Sequence, residues 1–233
     1  MMPVENYHIN GKRMFAFTSK KQFLKYIKKE KKILVALNAE KLNKKTEELD
    51  SIINENIGYP DGIGAVWALK RKGIDSVKIP GAEFWLDIIR EYQNEKSIYL
   101  IGATRQVIKK TVTKLKTSFP LLQIAGFRDG FLKEGEKDVL ISELKLLKPD
   151  IVFVAMGSPR QEILMNELMA QHAALYMGLG GSFDVYTGLK KRAPIYFQKL
   201  GLEWFYRLLK EPTRIGRQLD LAKFLFKIIF VRM

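Results

Sequence analysis

The chain has no cysteine. Disulfides, thiolate metal ligands and cysteine nucleophiles are therefore excluded. It has two histidines, His8 and His172, too few for a histidine-rich metal site. No apolar run approaches the roughly 18 residues of a membrane span. The first stretch, MMPVENYHINGKRMF, lacks the apolar core of a secretory signal, so the expected location is cytoplasmic. No Gly-x-Gly-x-x-Gly opens a helix after the first strand, and Gly178-Leu179-Gly180-Gly181 comes late. That argues against a nicotinamide-dependent oxidoreductase. Motifs of RNA- or DNA-binding modules are missing, as are internal repeats and low-complexity linkers. Acidic residues are in deficit: 25 against 40 lysines and arginines, a net charge of +15. Such an excess suits anionic partners such as acidic lipid, nucleic acid or a phosphorylated substrate, or else makes a soluble lysine-rich surface.

The 233 residues are 47% hydrophobic and 28% charged, enough for one large domain or a domain with an appendage. Residues 6 to 17 alternate loosely around Asn10-Gly11, which predicts a small hairpin. Residues 19 to 31 have helical spacing with Ser19 as cap, 33 to 37 read as a buried strand, and 43 to 55 return to helical spacing. Tyr59-Pro60-Asp61-Gly62 and Lys78-Ile79-Pro80-Gly81 read as turns, each leading into a helix. Asp61 is either a turn or cap residue, or a carboxylate at a loop tip able to act as a base. Buried strands are expected near 98–102 and 122–126, with helices from 105 to about 118 and from 136 to 147. Repeated strand–helix alternation predicts a Rossmann-like, mostly parallel sheet with helices on both faces.

The stretch from Pro149 to Pro194 concentrates the signals. A strand, 151–155, runs into Gly157-Ser158-Pro159 and a helix opening at Arg160-Gln161-Glu162. A second, 174–178, runs into Gly180-Gly181-Ser182-Phe183-Asp184. Two glycine-rich loops at neighbouring strand ends suit a phosphate, because ligands of open α/β sheets bind at the carboxyl ends and bare N–H groups there favour anions. After Pro194 the spacing is helical with no strand break, and Pro212 splits it. From Lys190 onward eleven Lys/Arg face three Asp/Glu, about half of the excess. The expected division is an α/β core over 1–194 and a basic amphipathic appendage over 195–233. The appendage either docks on its own core or lies on an anionic membrane.

The succession LVALNAEK at 34–41, PDGIG at 60–64, DGF at 129–131, GSPRQE at 157–162, GGSFDVYTG at 181–188, KRAP at 191–194 and GLEWFYRLLKEPTRIGRQ at 201–218 resembles the WecG/TagA/CpsF family of bacterial glycosyltransferases. The wording ALNAEK, VAMGSP and ALYMG is most similar to the WecG branch. The resemblance implies an inverting transferase with a UDP-sugar donor and an undecaprenyl-diphosphate-linked N-acetylglucosamine acceptor. For the WecG branch the sugar is N-acetylmannosaminuronic acid, for enterobacterial common antigen. For the TagA branch it is N-acetylmannosamine, for teichoic acid. The chain departs from the family pattern at Lys78, where arginine is common, and at Phe131, where tyrosine is common. Lysine loses the bidentate fork, and phenylalanine can stack on uracil without a phenol hydrogen bond.

On that resemblance Asp61 is the base and Gln161 a catalytic partner. Asn38 and Gln161 orient sugar hydroxyls, and Asp184 the ribose or uracil. Lys78, Gly102, Phe131, Gly157, Pro159, Gly181 and Arg192 complete the substrate set. The chain has no Asp-x-Asp, the motif by which many transferases hold a metal. Charge growing on the leaving diphosphate is then met by backbone N–H groups and by Arg207, Arg214 and Arg217. No metal, cofactor or nucleic acid is expected. The expected site of action is the inner face of the plasma membrane, with peripheral association, and a homo-oligomer is left open.

Overall fold

The computed structural model describes residues 4–191, 193–194, 196–197 and 203–210, with only the main chain of Glu203, Trp204, Arg207 and Lys210. Arg192, Arg214, Arg217 and the Pro212 break lie outside the described residues, as does the Arg207 side chain.

A hairpin comes first: β1 (Asn6–Ile9) and β2 (Lys12–Phe15) pair antiparallel. Asn10 and Gly11 both take positive φ, 50° and 78°, the turn that matches strand twist in a two-residue hairpin. Next come α1 (Lys20–Ile27), β3 (Ile33–Leu37), α2 (Ala39–Asn43), α3 (Glu47–Glu55) and β4 (Ile57–Pro60). Then follow α4 (Ile63–Arg71), α5 (Gly81–Tyr92), β5 (Ser97–Gly102), α6 (Arg105–Ser118) and β6 (Gln123–Arg128). The series ends with α7 (Glu136–Leu147), β7 (Ile151–Ala155), α8 (Arg160–Gln171), β8 (Leu175–Gly178), α9 (Ser182–Tyr186) and α10 (Glu203–Lys210). Ser19 caps α1 as expected, its side chain accepting from the Gln22 N–H.

Six strands form one sheet in the order β4-β3-β8-β7-β5-β6. Every pairing in it is parallel. The α/β expectation holds, and β7 and β8 are neighbours as their loops required. Side chains of α1, α5, α6 and α9 pack on one face. Those of α2, α3, α4, α7, α8 and the hairpin pack on the other. No helix among the described residues is long and apolar enough to cross a membrane.

Three local differences from the sequence expectations matter. The helix expected over 43–55 begins only at Glu47, as α3, and a separate short helix, α2, precedes it, capped by Asn38 and left at Lys44 with φ −77°, ψ 129°. The turn at Tyr59-Pro60 is the end of a strand, β4, that neither alternation nor length announced. Proline is tolerated there because β4 is an edge strand and Pro60 ends it. Residues 182–186, expected only as part of a loop, form the short helix α9.

Two places in the sheet leave a crevice. After β5 the chain turns to α6 on one face, and after the adjacent β7 it turns to α8 on the other. The same divergence separates β3, followed by α2, from its neighbour β8, followed by α9. Such reversals open ligand sites beyond the carboxyl ends of parallel strands.

Candidate active site

Because all six strands are parallel, the loops after them share one edge. Asn38, Asp61, Gly102, Phe131, Gly157, Pro159, Gly181 and Asp184 each follow or end a strand there. Lys78 joins them from the loop between α4 and α5: the N–H of its neighbour Ile79 donates to Pro60 O at 2.8 Å.

Asp61 is half-buried. Its N–H continues the ladder to Leu37 O at 3.0 Å. Its Oδ1 accepts from the Gly81 N–H, the first residue of α5, at 2.7 Å. The carboxylate is therefore oriented by the amino end of a helix twenty residues on, where negative charge is favoured. The cap position of α4 itself is held by Gly62. A side chain at residue 81 would stand 2.7 Å from Tyr59 Oη and 3.5 Å from Asp61 Oδ1, so the approach requires glycine. Tyr59 is fully buried and its hydroxyl has no hydrogen-bond partner among the described residues. Burial pushes its pKa well above the usual tyrosine value, and the charges of Asp61 and Glu162 push it further.

Asn38 neighbours Asp61 across the β3–β4 pair. Its Oδ1 accepts from the Lys41 N–H at 3.0 Å and caps α2. A Cβ on Gly62 would lie 3.5 Å from Asn38 Cβ, so the two loops touch.

Gln161 is buried at 4% exposure. Its Oε1 accepts from the Gly180 N–H at 2.8 Å, and its Nε2 donates to Glu162 Oε1 at 3.0 Å. Both ends of the amide are thus engaged within the protein. Gly178 makes room: a Cβ there would be 2.4 Å from Gln161 Nε2. Glu162, which reads in the sequence as an ordinary first-turn acid, is 1% exposed and meets Lys41 Nζ at 2.7 Å. Burial pushes its pKa up, but the Lys41 ammonium and hydrogen bonds from Lys41, Gln161 and Ser158 more than offset this, and the pKa falls below its usual value.

The remaining glycines divide by what they face. Gly157 and Gly180 have positive φ, 79° and 57°, with open space where a side chain would stand. Their loops present main chain to solvent, as an anion site needs. Gly102 differs: a Cβ would fall 2.3 Å from Ala155 O. Its glycine serves the fit of β5 against β7. Pro159 follows a cis peptide bond and precedes α8. Gly181 and half-buried Asp184 lie together at the start of α9. That helix is held by Phe183 and Tyr186, whose rings meet Trp85 of α5 edge-on at 5.6 and 5.2 Å.

Phe131 is 65% exposed at the far edge of the row. With Phe127, Arg105, Lys109 and Lys133 it lines a cleft of about 650 Å³ beside the β6 loop. Sequence reasoning missed Lys41, Glu162, Tyr59 and Arg105. Only the amphipathic placement of Arg105 at a helix start carried a signal, whereas the Lys41–Glu162 pair spans 121 positions. A second basic cavity, lined by Lys29, Lys31, Lys96, Lys145 and Lys148, sits at the opposite, amino-end pole of the sheet.

The row of loops thus offers an oriented carboxylate at one end, open glycine loops in the middle and an exposed aromatic at the other. The family model described as the glycosyl transferase WecG/TagA/CpsF family matches residues 8–233, nearly the whole length, and the chain belongs to that family.

Proposed function

We propose that this glycosyltransferase moves N-acetyl-D-mannosaminuronic acid from a UDP donor to undecaprenyl-diphosphate-linked N-acetylglucosamine, with inversion, in synthesis of an enterobacterial-common-antigen type polysaccharide. The observation that carries the reading is the order of groups along the sheet edge. Asp61 and Asn38 follow β4 and β3, the open glycine loops follow β8 and β7, and Phe131 follows β6. Strands are about 4.8 Å apart, so five intervals span about 24 Å before twist shortens the path. That order is base, sugar, diphosphate and nucleobase for an extended UDP-sugar with its acceptor.

In this reading Asp61 takes the proton of the acceptor hydroxyl as its oxygen attacks the anomeric carbon. The bond to UDP breaks, its electron pair goes to the β-phosphate oxygen, and the N–H groups of Gly157 and Gly181 meet the new charge, the Gly180 N–H being held by Gln161. Lys78 stands beside the base. Asp184 reads ribose or uracil, and Phe131 stacks on the ring. Gln161 acts from below, since its amide is already spent on Gly180 and Glu162. Arg207, Arg214 and Arg217 of the appendage meet the diphosphate and Arg192, just before it, contributes to substrate binding, while the appendage also brings the enzyme to the inner face of the membrane where the lipid acceptor resides.

A donor panel tests the reading. Purified protein with a short-chain lipid-diphosphate N-acetylglucosamine should form product from UDP-N-acetylmannosaminuronic acid and release UDP. Transfer from UDP-N-acetylmannosamine alone would overturn the donor assignment, and transfer from neither would overturn the proposal.

A further inference from the structure

The Lys41–Glu162 pair is the one buried ion pair among the described residues that sits directly beneath the row of loops. Its bonds form a chain. Lys41 Nζ donates to Glu162 Oε1, Gln161 Nε2 donates to the same oxygen, and Gln161 Oε1 receives the Gly180 N–H. At the other end, the Lys41 N–H is the donor that engages Asn38 Oδ1. Three loops, those after β3, β7 and β8, are joined by one polar network.

We propose that Lys41 and Glu162 are positioning residues that fix the Gly180–Gly181 loop and Asn38 for transfer. An ionised carboxylate accepts hydrogen bonds and donates none. Glu162 therefore dictates that Gln161 turns its Nε2 inward, and the amide oxygen then faces Gly180. A neutral amide at 162 accepts and donates, so it removes that dictate and allows Gln161 to turn over. The Gly180 N–H would then face an NH₂ group and lose its acceptor. Both donors converge on Glu162 Oε1, while the buried Oε2 has no hydrogen-bond partner among the described residues, so the arrangement rests on these few bonds and is lost when one is changed. Lys41 balances the charge, and its side chain is 11% exposed, Glu162's 1%. The consequence for activity rests on the transferase reading, because the loop matters only if it meets the leaving diphosphate.

The test compares wild type, Glu162→Gln, Lys41→Arg and the apolar double variant Lys41→Met/Glu162→Met. Amide hydrogen exchange is followed on the peptide covering 175–186, beside transfer kinetics and thermal unfolding. Glu162→Gln should speed exchange at Gly180 by tenfold or more without changing β5 or β7. It should lower kcat by roughly 10- to 100-fold, the scale of a misplacement of about 1 Å, with donor KM within about threefold. Lys41→Arg should keep kcat within about threefold. The apolar pair should regain the wild-type melting temperature without regaining kcat or slow exchange. The proposal is overturned if Glu162→Gln exchanges and turns over like wild type. It is equally overturned if the apolar pair restores kcat along with stability, because the network would then only fill space. Exchange needs no substrate. A wild type without UDP-sugar turnover would sink the transferase reading and still leave the exchange comparison to decide the positioning.

Discussion

Asp61 is a single carboxylate answering to two elements. Its main chain extends the β3–β4 ladder, and its side chain receives the first N–H of α5. The loop-tip carboxylate was legible in Tyr-Pro-Asp-Gly, but its partner was not, because the partner depends on where α5 returns to the sheet. The helix start that Asp61 Oδ1 meets is that of the next helix, α5, while Gly62 holds the cap position of α4. Glu162 was passed over for a related reason. A glutamate in a first turn is ordinary helix chemistry, and nothing in spacing foretells Lys41 across 121 positions. Its titration gives a sign that can be checked. The folded pKa lies below the ordinary glutamate value of about 4.5, so the pair contributes stability that is present above about pH 4.5 and lost as pH falls through the folded pKa. Wild type should therefore be more stable than Glu162→Gln at neutral pH, by up to about 3–5 kcal/mol if Lys41 is left uncompensated. The gap should close in acid, as read by urea unfolding at a series of pH values.

Elements succeed or fail in the sequence by whether their signal is local. Helices α6 and α7 and strands β3 and β7 fall where apolar periodicity placed them. Strand β4 did not, because Gly58 and Pro60 contradict strand propensity. Gly58 is there because a Cβ would fall 2.4 Å from Arg13 O of the hairpin, and Pro60 because the edge of the sheet asks little of it. Both reasons are tertiary. The junction of β4 with α5 is also where an element carries the site. Gly81→Ala would press a methyl group to 2.7 Å from Tyr59 Oη. Overpacking of that kind costs about 1–3 kcal/mol, and at this size each kcal/mol lowers the melting temperature by about 2–4 °C. It would also move the N–H that orients Asp61. Melting and initial-rate measurements should show a loss of turnover larger than the fraction of protein unfolded at the assay temperature.

At the scale of the molecule the architecture was legible and the order of its strands was not, since β4-β3-β8-β7-β5-β6 follows from long crossovers that no local pattern encodes. The charge is legible as well: the +15 excess, half of it after Lys190, suits an anionic partner, and the proposed one is the membrane surface. Each basic residue near such a surface is worth about 1 kcal/mol. Truncation after Pro194 should leave a folded core that neither co-sediments with anionic liposomes nor transfers sugar. A fragment as active as the full chain would mean the appendage is neither anchor nor wall of the site. The central claim, that this edge of the sheet performs base-assisted sugar transfer, is tested most directly by a single-turnover experiment on the full chain. Wild type and Asp61→Asn are mixed with UDP-N-acetylmannosaminuronic acid and a short-chain lipid-diphosphate acceptor, and glycosidic bond formation is timed while UDP affinity is measured separately. The account predicts a rate lower by roughly 10²- to 10⁴-fold in the variant with UDP affinity unchanged. A variant that forms the bond at the wild-type rate would contradict it.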